Sequence, residues 1–168
     1  ITMGGSWSYS PGENFKSVRK LVHMLVEIVS KGGNLLLNIG PGPDGRWPKG
    51  AYDRLAGIGA WMKVNGEAIY GTRAVAPYGE GKVRLTRGKD GSLYLVYLAG
   101  PGENAPPSKI SLSSHRPTAG ARVTLLGYEK PLEWKPKGKG FSVTIPKEVR
   151  SRPPCKYAWT LKVSPGVQ

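Results

Sequence analysis

Cysteine, histidine and long apolar runs are all scarce in this chain, and each scarcity excludes a class of function. Cys155 is the single cysteine, so we expect a free, partly buried thiol and neither an internal disulfide nor a multi-cysteine metal site. The two histidines, His23 and His115, lie too far apart in the sequence to predict a metal site. No segment approaches the roughly eighteen consecutive apolar residues of a membrane span. We therefore expect no metal, no cofactor and no membrane partner.

The start of the chain lacks both an initiator Met and the features of a leader peptide. Its opening letters, ITMGGSW, include neither a basic start nor the apolar stretch that a signal peptide needs. The sequence therefore predicts a chain that was cut from a longer protein.

Acidic residues are also scarce, which leaves a large positive charge. Lys and Arg total 25 against 11 for Asp and Glu, giving a formal net charge of +14. Such an excess raises nucleic acid or another anionic polymer as a partner. However, the basic residues are spread from Lys16 to Lys162 without a long run, and aromatic residues are not interleaved with them as in single-strand-binding proteins. We therefore predict a solvated basic surface and no nucleic-acid partner.

Apolar residues at helical spacing predict a first helix over 14–31. The periodic positions are Val18, Leu21, Val22, Leu25, Ile28 and Val29. Asn14 is the expected N-cap. Gly32 and Gly33 are the expected stop, because glycine readily takes the left-handed conformation after a last helical turn.

An apolar run without alternation follows at 34–39. Three consecutive leucines, 35–37, are typical of a parallel strand that is buried on both faces. After a Gly- and Pro-rich loop, a second helix is predicted over 48–64, with Pro48 in its first turn. The expected apolar face of that helix comprises Tyr52, Leu55, Ile58, Gly59 and Met62.

This order of elements is the unit of an α/β barrel or a doubly wound sheet. One strand and two helices cannot close a barrel, and they cannot bury their own apolar faces. We therefore expect the remaining strands to lie upstream of Ile1.

Helical periodicity ends near Gly71, where short strand-like runs separated by turn residues begin. The predicted strands are 72–78, 82–87, 92–98, 108–113, 121–127, 139–145 and 156–163. Their number and spacing are typical of a small antiparallel β-sandwich. We place the domain boundary at 68–74, with an α/β part over 1–70 and the sandwich over 71–168.

Four motifs in a fixed order carry a family resemblance. They are SWSY, then SKGGNLLLNIGP, then NGEAIYGT, and near the end YAWTLKV. Together they resemble the C-terminal portion of the retaining α-L-fucosidases, glycoside hydrolase family 29. The resemblance implies that the chain begins at the end of the seventh strand of a TIM-like (β/α)8 barrel. It then implies the seventh helix at 14–31, the eighth strand at 34–39, the eighth helix at 48–64, and the β-sandwich.

The same resemblance implies an exo-acting hydrolase that releases terminal α-L-fucose from glycans. Retaining enzymes use two carboxyl groups about 5 Å apart. In this family they are an Asp nucleophile and a Glu acid/base, both on barrel segments upstream of this chain. We therefore assign no catalytic residue and expect the isolated chain to be inactive.

The partners implied by the resemblance are a fucosylated glycan or a small fucoside, and the remainder of the barrel, supplied upstream or by a second chain. A secreted, periplasmic or lysosomal-type location fits the family, and the resemblance leaves room for a homo-oligomer.

Trp7 is the one substrate-binding residue that the resemblance suggests. The Trp of the family motif follows the seventh strand near the sugar, where its ring would line the apolar side of fucose. The alternative is a core Trp under the barrel rim. Ser8 departs from the usual Gly of the motif, and its Cβ could shift the loop.

Two further residues near this edge have open roles. Asn38 either points toward the sugar pocket or bonds to neighbouring loop backbone. Asp44 follows the predicted eighth strand, but its PDG sequence is a common turn in which Asp caps its own turn. We therefore interpret Asp44 as a turn residue.

A non-catalytic carbohydrate-binding or structural β-sandwich is the alternative function. Exposed aromatic residues on one sheet face would favour it, and the candidates are Tyr94, Tyr97, Tyr128 and Trp134. The alternation along the strands nevertheless suggests that some of these are core residues, and we interpret the other tryptophans beyond Trp7, at positions 47, 61, 134 and 159, as packing residues. We expect Trp61 to face the sandwich or the barrel shell.

Overall fold

Two long helices come first, and the strands and one short helix follow, in the computed structural model, which describes residues 1–164. The helices within that range are α1 (Val18–Ser30), α2 (Lys49–Asn65) and the short α3 (Lys147–Ser151), with a 3-10 turn at Gly66–Ala68. The strands are β1 (Arg73–Glu80), β2 (Val83–Arg87), β3 (Leu93–Leu98), β4 (Lys109–Leu112), β5 (Arg122–Leu125), β6 (Trp134–Lys137), β7 (Gly140–Thr144) and β8 (Ala158–Ser164).

Helix α1 begins and ends at identifiable capping residues. Ser17 is its N-cap, with the Oγ atom accepting a hydrogen bond from the backbone N–H of Lys20 at 3.2 Å. The predicted N-cap, Asn14, is wrong because the residues after it are held in another contact: the backbone N–H of Lys16 donates to the carbonyl of Met3 at 3.0 Å. The predicted stop is confirmed, since Gly32 has a φ of 84°.

Helix α2 buries a face slightly rotated from the predicted one. Ala51, Trp61 and Asn65 are buried, whereas Tyr52 (49%) and Gly59 are exposed, so the assignment of these two residues to the apolar face is wrong. Pro48 occupies the N-cap position, one residue before the helix begins. Gly66, after the last residue of α2, has helical dihedral angles and leads into the 3-10 turn. The backbone takes a left-handed conformation only at Gly71, which has a φ of 66°.

Segment 34–39 is not a regular strand in this structure. Asn38 forms a single parallel bridge with Thr2, in which the N–H of Asn38 donates to the carbonyl of Ile1 at 2.8 Å. Leu36 is 80% exposed, so the predicted burial on both faces is wrong for that residue. The reason is that the described residues supply a neighbouring segment on the Thr2 side only.

The β-rich half forms two antiparallel sheets packed face to face, which confirms the predicted sandwich. One sheet has five strands in the order β1-β2-β3-β8-β5, and the other has three in the order β4-β7-β6. Alternate residues from both sheets fill the space between them, including Leu85, Leu95, Phe141, Val143 and Leu161. Strand β6 was not predicted, because its sequence Trp-Lys-Pro-Lys carries a proline, which sheets tolerate only at an edge.

The helices cover the outer face of the five-stranded sheet. Tyr94 and Val96 from β3 and Ala158 from β8 pack against Val22 of α1 and Trp61 of α2. Strands β3 and β8 are therefore buried on both faces, and residues from both predicted domains share one core. The division into 1–70 and 71–168 stays a prediction, and its last residues, 165–168, lie outside the described range.

Buried hydrogen bonds fix the helices on that sheet. The indole Nε1 of Trp61 donates to the carbonyl of Ala158 at 2.9 Å. The hydroxyl of Thr160 donates to the Asn65 side-chain oxygen at 2.7 Å, and both residues are fully buried. Each bond satisfies a buried polar group that would otherwise lack a hydrogen-bond partner. Movement of the helices relative to the sheet would break these bonds and is therefore disfavoured.

A partly buried ion pair also joins the helix layer to the sheet. The Arg84 guanidinium of β2 contacts the Glu27 carboxylate of α1, with Nε and Nη2 at 2.7 and 2.5 Å from Oε1. Its hydrogen bond to Glu27 holds the pKa of that carboxyl below the ordinary value of 4.5, against the raising effect of burial. The carboxylate therefore stabilises the fold in its charged form.

We predict that Glu27→Gln destabilises the chain by about 1 kcal/mol at neutral pH. Because the pKa of Glu27 is lowered by folding, its contribution is present above pH 4.5 and is lost as the pH falls through the folded-state value. Urea unfolding at a series of pH values measures this. The gap between the two proteins should be constant above pH 4.5 and should close below it.

Asp53→Asn is the matched control, since Asp53 pairs with Lys49 within one helix on an exposed surface. A gap for Glu27→Gln that stayed unchanged down to about pH 3 would rule out the charge as its source.

Candidate functional site

Two loops leave the Thr2–Asn38 bridge at the same edge. The paired segments run parallel, so the residues that follow each of them emerge side by side. The first loop, residues 4–13, carries Trp7, and the second, residues 40–47, carries Asp44 and Trp47. This edge therefore brings together three of the residues that the sequence marked for attention.

Asn38 ties the two loops together. Its Nδ2 atom donates to the carbonyl oxygen of Trp7 at 2.8 Å, so of the two roles left open for Asn38 the structure shows the bond to loop backbone. Gly40 allows the loops to touch, since a Cβ at that position would overlap the backbone of Ser8 and Tyr9. The position of Trp7 is thus set by an amide side chain and a glycine on the opposite loop.

Glu13 closes the first loop on itself. Its Oε1 atom accepts hydrogen bonds from the backbone N–H groups of Gly5 and Ser6, both at 2.8 Å. Lys16 holds the base of the same loop, with Nζ donating to the carbonyls of Thr2 and Gly4 at 2.7 Å each. The sequence analysis missed this role of Glu13, because a side chain that binds backbone eight residues away leaves no periodic signal.

Trp7 itself is 71% exposed at the tip of the closed loop. It does not pack in the core of the described residues, but the alternative of a core Trp concerns the rim of a complete barrel, so both interpretations stay open. Ser8 is exposed and has no positive φ, so replacing glycine there imposes no backbone strain. A role for Trp7 in substrate binding stays a prediction.

Asp44 acts within its own turn, as predicted. Its Oδ1 atom accepts from the backbone N–H of Arg46 at 3.0 Å, and Gly45 has a φ of 76°. Trp47 at the end of this loop is 40% exposed, with its ring 5.6 Å from that of Tyr52. The prediction of Trp47 as a packing residue is therefore only partly right.

In the described part of the chain, residues 1–164, the carboxylates at this edge are bonded to backbone amides and do not form a catalytic pair. Glu13 and Asp44 both bind backbone amides of their own loops. Elsewhere Glu103 contacts Lys82 at 2.6 Å, and that hydrogen bond lowers the pKa of the carboxyl. Within residues 1–164, no group of three or more His, Cys, Asp or Glu side chains could hold a metal ion.

The remaining reactive side chains have structural partners. The Cys155 thiol donates to the carbonyl of Ala158 at 3.1 Å, and burial raises its pKa, so the free, partly buried cysteine is confirmed. His23 packs α1 against the chain through a 2.8 Å contact between Nε2 and the carbonyl of Tyr157. The Nδ1 atom of His115 lies 2.9 Å from the hydroxyl of its neighbour Ser114.

The four aromatic candidates on the sandwich do not form an exposed platform. Tyr94 is 4% exposed under the helices. Tyr97 stacks on Trp159, with ring centroids 6.3 Å apart, and Trp134 meets Phe141 edge-on at 6.1 Å. Tyr128 is half-buried, packs against the core between the sheets, and donates to the Glu148 carboxylate at 2.5 Å. These positions disfavour carbohydrate binding by an aromatic face of the sandwich.

Membrane insertion finds no support in the described helices, none of which combines the length and the apolarity that a bilayer span requires.

We predict that Glu13→Ala releases the loop that carries Trp7 without unfolding the chain. The substitution removes the acceptor for two backbone amides, which then open to solvent more often. Hydrogen exchange should become faster at Gly5 and Ser6 by roughly tenfold, since a charge-assisted bond contributes about 1.5 kcal/mol. Unchanged exchange at both amides would contradict this role of Glu13.

Glu13→Gln keeps an acceptor oxygen and should show a smaller effect. Asp53→Ala removes an exposed carboxylate on α2 and should leave exchange at Gly5 and Ser6 unchanged.

Comparison with known proteins places the chain in a family. The model described as "Alpha-L-fucosidase" matches residues 1–67, and the model described as "Alpha-L-fucosidase C-terminal domain" matches residues 79–164. An alpha-L-fucosidase of Branchiostoma floridae is 38% identical over 147 residues, which cover 85% of this chain and 32% of that protein. The tissue alpha-L-fucosidase of Bos taurus is 33% identical, covering 95% of this chain and 34% of its own length.

A solved structure shows the same fold. The alpha-fucosidase of Thermotoga maritima in complex with fucose superposes with a TM-score of 0.81 at 32% identity, covering 96% of this chain and 38% of that one. The chain thus spans about a third of the length of the relatives that it matches. The chain belongs to the α-L-fucosidase family, and its sandwich is that family's C-terminal domain.

Proposed function

We propose that this chain forms the C-terminal part of a retaining exo-α-L-fucosidase that releases terminal α-L-fucose from glycans. The observation that carries the proposal is the parallel Thr2–Asn38 bridge, within a chain that matches the family over both of its halves. A parallel pair joined through a helix is the repeating unit of a (β/α)8 barrel. The loops at its carboxyl edge are where such barrels carry their sites.

The same bridge supports the barrel assignment, while the numbering of its strands and helices comes from the family resemblance. The segment at Thr2 ends the seventh strand, α1 is the crossover helix, segment 34–39 is the eighth strand, and α2 is the eighth helix. Exposed Leu36 supports this arrangement, because one neighbouring strand leaves the other edge and an apolar side chain uncovered. The sandwich, over residues 71–168, follows as a second domain that packs against both helices.

The catalytic carboxyl groups are expected on the preceding part of the barrel. Retaining hydrolysis needs two of them about 5 Å apart. Glu13 and Asp44, at the loop edge, are already bonded to backbone amides. The chain alone is therefore expected to be inactive, and activity should need the upstream strands.

Trp7 would form one wall of the sugar pocket in this arrangement. Its exposed ring lies at the carboxyl edge of the bridge and is held there through Asn38 and the Glu13-closed loop. An aromatic ring packs against the C–H side of a sugar, including the methyl group of fucose, while the hydroxyls bind polar partners. The bond from Asn38 to the backbone of Trp7 limits the movement of the loop that carries the ring and so lowers the cost of binding.

The function is tested by joining the chain to the sequence that precedes Ile1. We predict that the longer protein hydrolyses an aryl α-L-fucoside and releases the α anomer first, as double displacement requires. The 168-residue chain should show no hydrolysis under the same conditions. NMR of the first-formed sugar measures the anomer, and first release of the β anomer would overturn the retaining mechanism.

We predict that Trp7→Ala in the longer protein lowers kcat/KM at least about tenfold, the loss expected for a ring contact of roughly 1.4 kcal/mol. Trp7→Phe should recover part of it. Tyr70→Ala is the matched control, since Tyr70 is 73% exposed but lies beside Gly33 and Leu35, at the opposite end of segment 34–39. Equal losses for Trp7→Ala and Tyr70→Ala would exclude a specific role for Trp7.

A further inference from the structure

The outward face of the three-stranded sheet is basic and hydroxyl-rich. Apolar residues at alternate positions on β4 and β7, among them Ile110 and Val143, are buried against the other sheet. The intervening side chains point away from the core. They are Lys109 and Ser111 on β4, Ser142 and Thr144 on β7, and Lys135 and Lys137 on β6.

The strand register places these cations and hydroxyls side by side. Ser111 lies opposite Ser142, with 3.1 Å between their Oγ atoms, and Ser142 lies opposite Lys135. Lys109 lies opposite Thr144. Because neighbouring strands are about 4.8 Å apart and alternate residues about 7 Å apart, the ammonium groups can reach one extended ligand together.

The turn between β6 and β7 adds two more cations at one end. Lys139 lies in the turn itself, and Arg116 is fixed beneath it by hydrogen bonds to the carbonyls of Gly138 and Gly140. We call this surface the basic face, comprising Lys109, Arg116, Lys135, Lys137 and Lys139.

Nearby carboxylates do not neutralise the basic face. Glu133 directly precedes β6 and accepts a backbone hydrogen bond from Thr144 through its carbonyl, so its side chain lies near the Lys109 end. Glu80 lies by the end of β4, where its carboxylate accepts from the backbone N–H groups of Ser113 and Ser114. Among residues 1–164, none of the four lysines has a carboxylate oxygen within 4 Å of its ammonium nitrogen.

The basic face lies on the side of the sandwich away from the helices. Helices α1 and α2 pack on the outer face of the five-stranded sheet, and the three-stranded sheet lies beyond it. A barrel built onto those helices would therefore leave the basic face exposed.

We propose that the basic face binds an anionic polysaccharide through its sulfate or carboxylate groups. Lysine and hydroxyl donors suit such anions, and the flat strand surface suits an extended polymer. Aromatic side chains for stacking nucleic-acid bases are missing from these outward positions, and Trp134 turns inward onto Phe141. The site would hold an acidic glycan near a proposed glycosidase domain, but binding itself does not depend on that activity.

The test is binding of the 168-residue chain to heparin at a series of salt concentrations. The face variant combines Lys135→Gln, Lys137→Gln and Lys139→Gln. The control variant combines Lys20→Gln, Lys63→Gln and Lys156→Gln, which removes the same charge from exposed lysines elsewhere. We expect the face variant to lose about tenfold or more in affinity, with a shallower salt dependence, and the control to lose much less.

Equal losses in the two variants would show that net charge alone drives binding, and would overturn the proposal. So would the absence of heparin binding by the unmodified chain. Neutral dextran should not bind. Duplex DNA of matched charge should bind more weakly than heparin, and equal or tighter DNA binding would reassign the partner to nucleic acid. Matching thermal unfolding of all three proteins shows that the variants are folded, and none of these outcomes depends on fucosidase activity.

Discussion

The five-stranded sheet must be covered on both faces, and the arrangement of the rest of the chain depends on that constraint. Leu95 and Leu161 face the three-stranded sheet, while Tyr94 and Val96 face the helices. Burying each such side chain contributes about 1.5–3 kcal/mol, so an uncovered face would forfeit much of the stability of a chain this size. The helices therefore complete the sandwich, and the buried bond from Trp61 to the carbonyl of Ala158 fixes where they lie.

The candidate site is connected to that sheet through a series of contacts. Met3 packs with Leu21 of α1 and Ala51 of α2, and Leu37 packs against the same cluster. These contacts hold the two segments of the parallel bridge against helices that the sheet has already positioned. Beyond the bridge, packing gives way to polar contacts, and Asn38 sets the position of the Trp7 backbone. Apolar burial thus positions the two bridged segments, while hydrogen bonds position the loop that carries Trp7.

Regular patterns made most of the fold predictable from the sequence. Turn residues delimited seven of the strands, and the apolar spacing located both helices. Strand β6 escaped prediction because Lys-Pro-Lys has neither alternation nor β-branched residues, and its pairing to β7 comes from the neighbouring strand rather than from its own propensity. Asn14 was chosen as a cap for its residue type, whereas Ser17 holds that place because the contact of Lys16 with Met3 delays the helix.

The candidate site was predictable only where local chemistry determined it. The turn at Asp44 follows from the sequence PDG, since Asp and Gly favour that geometry by themselves. The bond from Glu13 to the amides of Gly5 and Ser6 depends on how the loop folds back, which no residue spacing indicates. The basic face likewise arises from register, because it unites lysines from strands that lie about 25 residues apart in sequence.

Two apolar runs without alternation both need cover on two faces, but only one of them has it within the described residues. The run Leu-Tyr-Leu-Val-Tyr-Leu of β3 is covered on one face by the second sheet and on the other by the helices. The run of leucines at 35–37 has one parallel neighbour at Thr2, and Leu36 stays 80% exposed. A run of this kind needs both of its faces covered. Strand β3 has that cover within the chain, whereas the leucine run needs further strands beside it. That difference is the strongest support inside the chain for the proposed barrel, because it rests on burial and not on likeness to relatives.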